Sequence, residues 1–140
     1  MTGYSGTPLS QKLGIKAEAT VIAINPPPDY QGLLAPLPQG VKFSSRLIQN
    51  CLFVHLFTVS RADLEQRLRR LRSKISDFGV VWVAWPKKAA KMKTDVTEDV
   101  IRAVALPLGF VDTKVCAVDE TWSGLKLMIR RENRKGTGKK

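Results

Sequence analysis

The chain holds 140 residues (15.6 kDa), 44% of them hydrophobic and 25% charged, and 23 Lys and Arg against 12 Asp and Glu give a net charge of +11 and a pI near 10.1. Ordinary apolar content at this length predicts one globular domain that needs no disulfide or metal staple, and excludes fibrous, collagenous and wholly disordered classes. The longest uncharged stretch, Leu47 to Ser60, has 14 residues, short of the roughly 20 a membrane span needs.

Thr7-Pro8-Leu9 reads as a helix start and Gly14 as its stop, which predicts a short helix over Pro8–Leu13 behind a flexible Gly-rich leader. Ala19 to Asn25 is a short run with β-branched residues, cut off by Pro26-Pro27-Pro28, and predicts a buried strand followed by a rigid turn. Tyr30 to Ala35 predicts a brief helix and Val41 to Ser44 a weak strand. Cys51 to Val59, apolar on both faces, predicts a central strand. Leu64, Leu68, Leu71 and Ile75 then fall on one stripe of a helix over Arg61–Ser76, with Arg67, Arg69, Arg70, Arg72 and Lys74 around it.

Val80 to Trp85 predicts another buried strand, ended by Pro86. Asp95 and Glu98 are spaced like a capping pair for a helix that runs to about Leu106. Phe110–Val118 and Leu125–Ile129 are strands joined by Asp119–Gly124, a link too short for a crossover helix, so they pair antiparallel. The tail from Arg130, with Gly136 and Gly138 among charges, predicts disorder, leaving residues 1–129 as a single domain. Alternating strands and helices predict an α/β fold: a mostly parallel sheet, helices on both faces and an antiparallel hairpin at the end. That arrangement resembles a minimal Rossmann-like methyltransferase fold.

Charge is concentrated. Arg61–Lys93 carries a net +7 and Arg130–Lys140 a net +5, which attracts phosphate-bearing partners or acidic protein surfaces. Cys51 and Cys116 both lie in apolar runs and read as small core residues. Two cysteines and one histidine cannot form a four-ligand Cys/His zinc site, so no metal is expected. His55, mid-strand, reads as a hydrogen-bonded core imidazole.

In an open parallel sheet, ligands gather beyond the carboxyl ends of the strands. Those ends carry Asn25, Asp29 and Tyr30, then Ser60 and Arg61, then Lys87, Lys88 and Lys91, then Asp119, Glu120, Trp122 and Ser123. Arg61, Lys87, Lys88 and Lys91 are read as charge contacts for an anionic nucleotide or phosphate ligand. Tyr30 and Trp122 are read as stacking residues, with Asp119 and Ser123 beside them. Arg67, Arg69, Arg70, Arg72, Arg130 and Arg131 form an alternative surface for RNA or an acidic protein. The first loop offers Asn25-Pro26-Pro27-Pro28-Asp29 where a Gly-rich turn would admit a methyl donor or dinucleotide, and proline has no N–H to give. The expectation is therefore a binding domain without a bound cofactor and without catalysis, with a degenerate or minimal S-adenosylmethionine-binding protein as the alternative.

Gly3-Tyr4-Ser5-Gly6-Thr7-Pro8-Leu9 with Lys12-Leu13-Gly14-Ile15, then Trp85-Pro86-Lys87-Lys88, Thr94–Val100 (TDVTEDV) and Cys116–Lys126 (CAVDETWSGLK) resemble a small bacterial family of single-domain proteins with no assigned activity. The resemblance covers residues 3 to about 130 and implies a stand-alone cytoplasmic bacterial protein. Absence of a basic start and apolar core at the N-terminus agrees with that expectation.

Overall fold

The computed structural model describes residues 7–134, and both the Gly-rich leader and the end of the basic tail lie outside them. The elements follow the order α1 (Leu9–Leu13), β1 (Thr20–Ile24), α2 (Tyr30–Leu34), β2 (Lys42–Ser44), β3 (Cys51–Phe57) and α3 (Arg61–Lys74). After these come β4 (Ile75–Pro86), α4 (Glu98–Ala105), β5 (Phe110–Ala117) and β6 (Trp122–Ile129). The six strands form one sheet in the order β2-β1-β3-β4-β6-β5. The first four are mutually parallel, and β6 runs antiparallel to both β4 and β5. A mostly parallel Rossmann-like sheet with flanking helices and a terminal antiparallel hairpin is thus what the chain builds.

Each face of the sheet has its own core. On one, Leu64, Leu68 and Leu71 of α3 and Ile101, Val104 and Ala105 of α4 pack on Val54, Leu56, Val81 and Val83. On the other, Leu13 of α1 and Tyr30 and Leu34 of α2 pack on Val21, Phe53, Phe57 and Trp82. Burying an aliphatic side chain contributes roughly 1.5–3 kcal/mol, so these two layers dominate the stability. Trp82 is fully buried, and its indole N–H donates to the Leu13 carbonyl at 2.9 Å, fastening α1 to the sheet. Gly14 ends α1 in the left-handed conformation at φ 83°, which a side chain would strain.

Several expectations about boundaries and caps are corrected: β4 begins at Ile75 rather than Val80, and β6 at Trp122 rather than Leu125. Helix α3 ends at Lys74 rather than Ser76, because Ile75 leaves the helix to pair with Cys51, and the Asn50 N–H takes the Lys74 carbonyl at 2.7 Å. Ile75 is buried either way, so its place in the leucine stripe did not distinguish helix from strand. Asp95 does not cap α4. Thr97 does, its hydroxyl accepting the Val100 N–H at 3.2 Å. The Asp95 carboxylate instead accepts the backbone N–H of Arg61 at 2.7 Å, at the start of α3. Glu98 and Asp99 stand in the first turn of α4 and pair with Arg102, which also reaches Asp112 on edge strand β5 at 2.8 Å.

The basic segment after β6 begins with a short 3-10 turn, Arg131–Asn133, held by the Arg130 N–H on the Gly109 carbonyl at 2.9 Å. Residues 135–140, the remainder of the predicted disordered tail, lie outside the described residues. Among the described residues no helix is long and apolar enough to cross a membrane.

Candidate functional site

The strand order reverses between β1 and β3: the chain leaves β1 for β2 on one side and returns to β3 on the other. Loops diverge at such a point and leave a crevice at the carboxyl ends. On the β1 side, Asn25 (φ 55°) and Asp29 (φ 61°) both adopt the left-handed conformation, flanking the three prolines. Asn and Asp are the non-glycine residues that visit this region most readily. The turn therefore reaches with Asn and Asp a backbone shape usually left to glycine. On the β3 side, Ser60 caps α3 by accepting the Asp63 N–H at 3.2 Å, and Thr58 donates to the Asp63 carboxylate at 2.9 Å. Thr94 donates to the Val59 carbonyl at 2.7 Å and ties this loop to the one that follows β4.

Beside the crevice, over the ends of β1 and β2, lies a pocket of about 480 Å³, within the range of roughly 300–1,000 Å³ typical of small-molecule sites. Ala23, Pro26 and Tyr30 supply its apolar side, and Phe43, Ser44 and Ser45 close it from β2. Asp29 faces into it, and its carboxylate has no hydrogen bond or ion pair among the described residues. That carboxylate lies over Gly32, where a Cβ would collide with it. Ser44 Oγ accepts the Arg46 N–H at 3.0 Å, which leaves its own proton to donate.

Behind the pocket, Tyr30 places its hydroxyl 2.7 Å from His55 Nδ1. His55 is fully buried, and Ala23 and Trp82 flank it in the neighbouring strands. Burial pushes the imidazole down to about 3 and the Tyr30 phenol up, so both groups stay neutral. The expected core imidazole is observed.

The structure redistributes the other predicted residues. Tyr30 is 5% exposed and packs edge-on against Phe43 and Phe57, so it is a wall of the pocket rather than a stacking platform. Trp122 opens β6 opposite Pro86, partly buried, with its ring packed edge-on against Phe57 at 5.1 Å. Asp119 turns inward, one oxygen accepting the N–H groups of Thr121 and Trp122 at 2.8 Å. Ser123 sits within β6 between Trp85 and Ala117 instead of in a loop. Arg61 pairs with Glu65 and lines a groove between α3 and α4, away from the pocket. Lys87, Lys88 and Lys91 do stand on the rim, beyond β4, but none lines the pocket.

The alternative basic surface breaks into separate parts. Arg67 is bound to Asp63, and Arg72 donates to the Leu108 carbonyl at 2.9 Å. Arg69 and Arg70 are exposed without an ion pair among the described residues, while Arg130 and Arg131 lie at the opposite end of the sheet from the rim. The pocket residues that the sequence did not single out are Ala23, Gln31, Phe43, Ser44 and Ser45. The one signal for Ser44 and Ser45 was a hydroxyl pair at the end of a weak strand.

Neither a protein-family model nor a characterised protein matches the sequence. Solved structures do match it in shape. A SAM-dependent methyltransferase from Aquifex aeolicus superimposes with a TM-score of 0.61 at 13% identity, over 86% of this chain and 87% of that one. A putative type 11 methyltransferase from Sulfolobus solfataricus gives 0.54 at 12% identity, over 87% of each chain. LepI in complex with SAM gives 0.55 at 12% identity, over 89% of this chain and 47% of LepI. The fold is of the methyltransferase type.

These matches support the methyltransferase-like part of the sequence reading, whereas the family suggested by its motifs finds no matching model. They also correct the expectation of a non-catalytic domain, since the architecture recurs in several methyltransferase structures. That expectation rested on the missing Gly-rich turn and on the lack of an acid in Val41–Ser45; Asn25 and Asp29 reach the left-handed conformation without glycine, while the three prolines still offer no N–H.

Proposed function

We propose that the chain is a minimal methyltransferase-like protein that binds S-adenosylmethionine with its nucleoside half in the pocket over β1 and β2. The observation that supports this most is the pocket itself, placed beside the reversal of strand order and walled by Phe43, Pro26 and Ala23. Asp29 is the acceptor for ribose hydroxyls, and Ser44 and Ser45 are the remaining polar contacts. Buried and neutral, Tyr30 and His55 add no charge to the floor.

The fit is to the nucleoside half. Pro26, Pro27 and Pro28 withhold backbone donors from the amino-acid half, so adenosine should retain much of the donor's affinity. When bound, the donor supplies an electrophilic methyl carbon on sulfur. The chain's own contribution is to orient that carbon toward the crevice between the 25–29 and 58–61 loops.

Calorimetric titration and thermal shift with S-adenosylmethionine, S-adenosylhomocysteine and adenosine test this. At about one hundred times its dissociation constant a ligand stabilises by ~2.7 kcal/mol, which raises the midpoint by several degrees. Saturable, salt-tolerant binding that weakens at least about tenfold in Asp29→Ala is expected, a loss of about 1.4 kcal/mol. No stabilisation by any of the three compounds overturns the reading.

A further inference from the structure

The loop after β4 carries Lys87, Lys88, Lys91 and Lys93 and no acid before Asp95. No ion pair engages any of the four among the described residues, in contrast to Arg61, Arg67 and Arg102. Lys88, Lys91 and Lys93 are exposed and Lys87 is partly so. Yet the backbone that bears them is fixed. The Lys87 N–H donates to the Thr121 carbonyl at 2.8 Å, Lys88–Ala90 form a 3-10 turn, and Lys91 reverses the chain at φ 55°. At the far end Thr94 and Asp95 anchor the loop to Val59 and Arg61. The nearby carboxylates are not ion-paired with these lysines among the described residues: Asp95 accepts a backbone N–H, Asp119 accepts two, and Glu120 is exposed.

Position gives this charge a use. Strands β1, β3 and β4 are consecutive neighbours, so the lysine loop lies about 10 Å along the rim from the end of β1. Arg69 and Arg70, by contrast, lie eight and nine residues into α3, about 12 Å down the face of the sheet.

We infer that the Lys87–Lys93 loop holds the phosphate backbone of a single-stranded nucleic acid whose neighbouring nucleotide enters the crevice. The acceptor role of that nucleotide rests on the methyl-donor reading above; the binding surface does not. Lysines are point charges on flexible stems and suit phosphates without reading sequence. A protein partner is disfavoured because protein interfaces are centred on an apolar, aromatic patch. Here the exposed large apolar residues, Val59 and Met92, are single, Trp85 is buried, and the partly exposed Trp122 packs edge-on against Phe57. A base that reaches the crevice must be out of a duplex, and a single strand presents it without the cost of unpairing.

Fluorescence anisotropy with labelled single-stranded RNA and DNA oligonucleotides, between about 50 and 200 mM salt, tests the surface. Each phosphate contact on a single strand adds about 0.7 to the slope of log affinity against log salt. The K87A/K88A/K91A/K93A variant should therefore lower the slope by about 3 and the affinity by about tenfold or more. R69A/R70A should change little. Binding of either oligonucleotide supports the surface, and the ratio of the two tells RNA from DNA. An unchanged slope in the lysine variant, loss in R69A/R70A instead, or equal competition by polyglutamate overturns it. The lysine variant should keep its thermal midpoint and its titration with S-adenosylmethionine, since no lysine lines the pocket. Nucleic acid binding without donor binding would remove the function proposed above and leave this surface standing.

Discussion

The Tyr30 hydroxyl and His55 Nδ1, 25 residues apart in sequence, meet at 2.7 Å inside the protein and join helix α2 to strand β3. Among the described residues His55 Nε2 is buried without a partner, so the imidazole has one hydrogen bond there for two ring nitrogens. Such a ring cannot accept a proton without a charge that nothing nearby neutralises. Its folded value, about 3, lies below its ordinary 6.5. The unfolded chain therefore takes the proton first, and stability is undiminished above pH 6.5. It should fall between about pH 6.5 and 3, by up to about 1.4 kcal/mol per pH unit. Urea unfolding across that range should show the slope in the native sequence, and His55→Phe should flatten it. Tyr30→Phe should cost about 1–3 kcal/mol at neutral pH by orphaning Nδ1. A flat profile in the native sequence would show that His55 is not the acid-sensitive group.

Trp82 supplies a second long-range bond, to the Leu13 carbonyl 69 residues away. Trp82→Phe leaves that carbonyl without its donor and a gap in a fully packed face, at a cost of about 2–4 kcal/mol. Amide hydrogen exchange in α1 should accelerate more than exchange in α3, which packs on the other face. Equal acceleration in both helices would mean that α1 is held by other contacts.

Gly32 and Asp29 separate stability from binding. Gly32→Ala favours the helical conformation of α2 by up to about 1 kcal/mol, while its new Cβ displaces the Asp29 carboxylate. The expected result is a thermal midpoint that holds or rises, together with adenosine or S-adenosylmethionine affinity reduced about as much as in Asp29→Ala. Full affinity in Gly32→Ala would remove Asp29 from the pocket.

Asp95 acts on a helix in which it does not reside. Losing its bond to the Arg61 N–H should cost about 1 kcal/mol, the ordinary worth of a helix cap. Asp95→Ala should lower the urea midpoint without changing the dependence on denaturant. Asn in its place, which keeps an acceptor oxygen, should recover most of the loss.

Within the chain itself, the apolar periods together with the Pro and Gly punctuation determined the number and order of the elements. The leucine stripe marked α3, the two-sided apolar runs marked β3 and β4 as interior strands, and the short link before β6 required an antiparallel partner. These signals are local: a side chain's repeat reports which face is buried, whatever it is buried against. Strand order, by contrast, came from the whole sheet. Crossovers place β1 beside β3 and leave β2 at the edge. There, three half-exposed residues carry too little pattern to show that Phe43, Ser44 and Ser45 would wall a pocket. Tyr30 and Trp122 offered rings at strand ends, but only tertiary packing could bury the one against His55 and set the other, still partly exposed, edge-on against Phe57. Asp95 shows the same division. Its spacing to Glu98 fitted a cap on its own helix, whereas the nearer unpaired amide in space belonged to Arg61, 34 residues earlier. Hydrogen-bonding groups are satisfied by what folding brings within about 3 Å, and distance along the chain does not enter.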